Sequence, residues 1–253
     1  MCFFVKFELL KNLGMSGNKV LILFLSINYV LFAFFQSRGE NVLAEIFICF
    51  ILPIIALGYW SLIVKKTIWF SLFLIFCSIT DITHFLQLIN FFLLPKGIDY
   101  YLLSALNILA YVCLTIDIAK NLVLKELVKH HKLTSLILLG LNIYITIELT
   151  NVIAPHLHIN SWVGFFDVLF TIAMLSILFF AVLNYFNNSC RKSFYLLIGA
   201  ISILISEVLH VACDYVFFKE KYVLNVIMGA IYLIGYMFFY EQCKLHYEKA
   251  ERI

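Results

Sequence analysis

Eight stretches of roughly twenty mostly apolar residues recur along this chain of 253 residues, and nothing else limits its fold as strongly. They run over about 20–36, 42–64, 67–94, 98–118, 133–154, 162–184, 194–216 and 222–241. A helix rises ~1.5 Å per residue, so about 20 apolar residues cross a hydrocarbon layer ~30 Å thick. In such a layer only helices and closed barrels satisfy their own backbone hydrogen bonds. Barrel strands alternate apolar and polar residues, whereas these runs are continuously apolar, and the whole chain has only 10 glycines and 3 prolines. The expected fold is all-α: one integral membrane domain over 1–253, with eight transmembrane helices. Hydrophobic residues make up 64% of the chain and charged ones 13%, which leaves no room for a soluble domain.

The short polar segments between the spans orient them. With the N-terminus cytoplasmic, only Arg38, Lys96, Lys219 and Lys221 of the 18 Lys and Arg residues fall outside. The rest cluster inside, around Lys65-Lys66, Lys120 to Lys132, Arg191-Lys192 and the C-terminus, so both termini are expected in the cytoplasm. The expected location is the cell membrane, as a multi-pass protein. The net charge of +3 comes from these loops, and no basic stripe with interleaved aromatics suggests a nucleic-acid partner. Seven dispersed cysteines without a C-x-x-C pair read as small apolar residues, not as a disulfide framework. Met15-Ser16-Gly17-Asn18-Lys19 reads as a second natural start, and the first span as a retained helix rather than a cleaved signal.

One phrase occurs twice. Residues 79–85 read Ile-Thr-Asp-Ile-Thr-His-Phe and residues 205–211 read Ile-Ser-Glu-Val-Leu-His-Val. Each sets a carboxylate three residues before a histidine, on one helix face, inside an apolar run. The copies lie in spans three and seven and run in the same direction, which suggests two parallel four-helix halves. Ionisable residues inside a membrane are costly and mark function.

Depth gathers more acids around these two. Asp81 and Glu207 each follow a loop lysine, Lys66 or Lys192, by ~15 residues, or ~22 Å of helix, and Glu148 lies at a similar depth. Asp167 and Glu45 sit near the outer starts of spans six and two. Five carboxylates are thus expected in one layer of the outer half. His84, Gln87 and Asn90 continue the face of Asp81, and His210 and Asp214 that of Glu207. The loop Pro155-His156-Leu157-His158 is placed to cap the layer. Asp117 is expected at the inner interface.

Several segments carry a family resemblance. Phe76-Cys77-Ser78-Ile79-Thr80-Asp81 resembles a small-residue–Asp step in an early span, and Gly199-Ala200-Ile201-Ser202-Ile203-Leu204-Ile205-Ser206-Glu207 an acid step in the penultimate one. Ala230-Ile231-Tyr232-Leu233-Ile234-Gly235-Tyr236 looks like a tyrosine-rich last span, and Asn107 to Tyr111 like a fourth-span segment. In layout and in these motifs the chain resembles the YhhN family of integral-membrane lysoplasmalogenases. It departs from the pattern at Thr80, where the family has Gly, and at Glu207, where it has Asp.

The resemblance implies an ether hydrolase that cleaves the vinyl-ether bond of a lysoplasmalogen, giving a fatty aldehyde and a glycerophospho-alcohol. No cofactor is implied, and the partner is a membrane lipid or lysophospholipid substrate. Such a reaction needs one protonated carboxyl and one carboxylate, here Asp81 and Glu207. His84, His210, Glu148, Asp167, Asp214 and Glu45 would support them or bind substrate. Two other readings stand beside it. Asp81, His84, Glu207 and His210 form two acid-x-x-His pairs, a ligand set for an intramembrane metal-dependent lipid enzyme. Alternatively, the same buried acids could serve a non-enzymatic transporter or sensor.

Overall fold

The computed structural model describes residues 17–91, 98–120, 122, 132–153, 162–215 and 221–245. These residues form helices α1 (Gly17–Ser37), α2 (Asn41–Ile48), α3 (Ile51–Leu62), α4 (Ile68–Leu88), α5 (Ile98–Ala119), α6 (Lys132–Ile153), α7 (Trp162–Asn187), α8 (Arg191–Tyr215) and α9 (Lys221–Gln242), with no strand among them. The pair α2–α3 makes a single crossing, so eight helical segments are long and apolar enough to span a membrane. The molecule is a polytopic helical membrane protein. Large apolar side chains such as Val30, Phe34, Ile68, Leu136 and Val223 point outward, as lipid-facing residues do.

Two of the expected spans differ in detail. The second is broken at Cys49-Phe50, because Pro53 has no N–H for the Cys49 carbonyl and starts a new helix within its first turn. Asn28 of α1 supports the break by donating its side-chain amide to the Phe47 carbonyl at 2.5 Å. The third stops at Leu88 instead of running on to 94. Asn90 adopts φ 54, and the Asn90 and Phe91 N–H groups turn back to the Gln87 and Leu86 carbonyls, each at 3.0 Å. This is a Schellman cap, with asparagine in the left-handed position that most side chains avoid. Asn90 therefore ends the helix rather than extending its polar face. Gly39, at φ 75, closes α1 in the same way.

Seven spans close into a ring in the order α1, α2–α3, α4, α5, α7, α8, α9 and back to α1. Two tyrosines fasten the closure. Tyr29 of α1 donates to the Val226 carbonyl of α9 at 3.0 Å, and Tyr240 of α9 to Asn18 of α1 at 3.1 Å. Helix α6 stands outside the ring against α7 and α8. Only 6% of its most apolar window is buried, against 22% to 44% for the other seven, so the two halves of the chain are not equivalent in their packing.

The interior of the ring changes character along its length. Toward the end bearing Lys65 and Lys66 it is filled by rings. Tyr59 and Phe70 lie 5.0 Å apart, Phe70 and Phe73 5.5 Å, and Phe73 stacks on Tyr236 at 5.9 Å. Phe239 completes the plug, packed so closely on Gly199 that a Cβ there would lie 2.8 Å from its ring. Asp117 lies at this end, paired with Lys120 at 2.5 Å, as an interfacial charge should be. Toward the other end the rings give way to carboxylates.

Candidate functional site

Asp81 lies in the second half of α4, past the aromatic plug, and α8 carries Glu207 to the same level. They come from helices that are not neighbours in the ring, yet both line one pocket of about 190 Å³. His84 and His210, one turn further along, line it too, with Ser206, Cys49, Met228 and Tyr232. Placing acid and histidine three residues apart on a helix put each pair on one face, and both faces turn inward here. Ser206 Oγ donates to the Met228 carbonyl at 3.3 Å and holds α9 across the pocket.

The two acids are held differently. Among the described residues Asp81 Oδ2 is buried without a hydrogen-bond partner, and so is Ser78 Oγ one turn before it. An unsatisfied buried polar atom costs ~1–3 kcal/mol and needs a reason. Glu207 has a partner: Tyr111 of α5 donates to its Oε1 at 3.3 Å. Tyr111, Tyr232 and Tyr236 gather beside the pair, with the Tyr232 and Tyr236 rings 4.5 Å apart. The tyrosine-rich last span thus supplies a wall of the pocket.

Glu207 and His210 also line a second pocket of about 330 Å³, between α5, α6, α7 and α8. Asp167 faces into it and accepts a hydrogen bond from Tyr100, with Ser104, Asn107 and Thr171 completing its polar wall. Glu207 therefore stands between two chambers, with Asp81 in one and Asp167 in the other.

Glu45 lies outside the first chamber, where its carboxylate meets His84 Nε2 at 3.5 Å across the gap between α2 and α4. Both side chains are about half exposed, at 47% and 46%. Glu148 does not join the layer. It is exposed on α6 and lines neither chamber, while its neighbour Leu149 reaches the second. Asn142, Thr146 and Ser176 are the polar members of a separate, mostly apolar groove of about 400 Å³ between α6 and α7. Asp214 lies in the last turn of α8, but its side chain and the 155–158 loop fall outside the described residues.

The four acid-x-x-His residues share a chamber without converging. Among the described residues, no three His, Cys, Asp or Glu side chains are grouped closely enough to hold a metal ion. That arrangement does not favour the metal reading. Sequence reasoning missed Tyr100 and Cys49, and it gave Tyr111 no role. Tyr111 had a signal, since it closes the Asn107–Tyr111 segment, but Tyr100 is brought to Asp167 by the fold alone. Comparison with protein-family models, with curated proteins and with solved structures returned no match.

Proposed function

We propose that the protein is a lysoplasmalogenase-like lipid hydrolase of the cell membrane, with both termini in the cytoplasm and Asp81 and Glu207 as its catalytic carboxyls. One observation carries the reading: two carboxyls from non-adjacent helices line a single small chamber, one of them with a buried oxygen that has no hydrogen-bond partner among the described residues. The resemblance of the Asp81, Glu207 and Tyr232–Tyr236 segments to the YhhN family supports it.

A vinyl ether is cleaved by protonation at its β-carbon, which leaves an oxocarbenium-like cation. Water adds to the cation, and the resulting hemiacetal collapses to aldehyde and alcohol. One carboxylic acid supplies the first proton; one carboxylate steadies the cation and takes a proton from water. A buried site lined by two acids suits this division of labour, because burial in general keeps a carboxyl protonated while a second, hydrogen-bonded one stays ionised. At about 190 Å³ the chamber is smaller than the ~300 Å³ typical of whole-ligand sites. It suits the ether linkage, while the alkenyl chain stays along the lipid-facing helices.

The test is a paired assay. Purified protein in lipid nanodiscs is incubated with lysoplasmalogen or with the matching ester lysophospholipid. The expected result is fatty aldehyde from the first and no fatty acid from the second, with aldehyde release abolished in Asp81→Asn and Glu207→Gln. Fatty acid release, or unchanged aldehyde release in both variants, would overturn the assignment.

A further inference from the structure

The Asp81 carboxyl poses a supply problem. Its Oδ2 is sealed from solvent and meets no donor among the described residues, yet an acid that works repeatedly must regain its proton after each use. Between it and the outside stands His84, one turn along the same helix. His84 lines the Asp81 chamber and is also 46% exposed, so the ring touches both sides of the chamber wall. Glu45 reaches from α2 to within 3.5 Å of its Nε2, which leaves Nδ1 as the ring's other proton site. Imidazole in general exchanges protons readily near neutrality.

We infer that His84, oriented by Glu45, is the proton port of the Asp81 chamber. This rests on the chamber described above as a site of proton chemistry, but not on which lipid is cleaved there. The imidazolium gives one proton, through water in the chamber, to the Asp81 carboxylate; neutral imidazole and a carboxylic acid result. The imidazole then takes a proton from hydronium on its exposed side, next to Glu45, leaving water. Charge is conserved at each step, and no further reactant is required. His84 acts through Asp81 and is a positioning and relay residue. The titratable groups around it are Glu45 and Cys49 from the broken second span, Asp81 on its own helix, Glu207 and His210 on α8 and Tyr232 on α9. The second acid-x-x-His copy does not duplicate the arrangement, since His210 lies between two chambers.

Time-resolved infrared spectroscopy tests this without any lipid substrate. The full chain in nanodiscs is subjected to a rapid pH drop, and the carbonyl stretch of protonated Asp81 is followed, identified by its loss in Asp81→Asn. In His84→Gln the band should rise at least about tenfold more slowly, within the range for a removed proton-transfer group. Added free imidazole should restore the rate, and Glu45→Gln should slow it by a smaller factor. His84→Asn serves as a second variant, and each variant's thermal unfolding is compared with wild type. A wild-type rate in both His84 variants, slowing that imidazole does not relieve, or an Asp81 band that never changes with pH would overturn the inference. A protein with the relay intact but without aldehyde release would fail only the hydrolase reading.

Discussion

The two ends of the helical ring are built on opposite principles. At the Lys65-Lys66 end, Tyr59, Phe70, Phe73, Tyr236 and Phe239 fill the interior with rings, and every one of these rings is buried. At the other end the helices line two chambers and place Asp81, Glu207 and Asp167 on their walls. Lipid gives helices no hydrophobic drive to associate, so a membrane bundle is held by close packing and interhelical hydrogen bonds. The plug supplies the packing. That rigid half allows the other half to carry cavities and an unsatisfied carboxyl, features that would weaken a bundle built of them throughout.

This contrast can be broken from either side. The largest effect is expected at the chambered end: Asp81→Asn or Glu207→Gln should lower aldehyde release at least about a thousandfold, in the range of lost acid–base catalysis. Their melting temperatures should not fall, because the amide replaces a group whose burial was already costly. In the plug, Phe73→Ala should cost about 3–5 kcal/mol of stability, read by thermal unfolding in nanodiscs. Gly199→Ala should cost about 1–3 kcal/mol by forcing the Phe239 ring off α8. Neither plug variant should change which lipid is cleaved by the protein that remains folded. Tyr111→Phe sits at the boundary; losing its bond to Glu207 should slow turnover about tenfold, seen as a fall in kcat with little change in KM. Glu148→Gln should alter neither stability nor turnover measurably, since the side chain faces outward from α6.

Much of the scaffold was legible because a membrane crossing has a fixed length. The eight spans fall within a few residues of their expected bounds wherever Pro and Asn do not intervene. The break at Cys49-Phe50 and the early stop at Leu88 depend on local backbone geometry, which hydropathy does not register. The site was half legible. Depth and helical spacing brought Asp81, His84, Glu207 and His210 to one chamber, because both rest on helix rise and periodicity. Facing directions were harder to read. α6 is apolar nearly all round, so nothing in its sequence turns Glu148 inward, and it settles outside the ring. Contacts such as Tyr111 with Glu207, or His84 with Glu45, join residues far apart in sequence and follow from the ring order alone.

The closure of α9 against α1 has a consequence for how the protein is made. Met228 and Tyr232, which complete the Asp81 chamber, belong to α9, which leaves the ribosome after the other helices described above. Until then a chain already threaded through the bilayer holds Asp81 beside an unfilled gap in the ring. The chamber is therefore completed only once α9 has been made, and chains cut short before α9 inherit the acids without their enclosure.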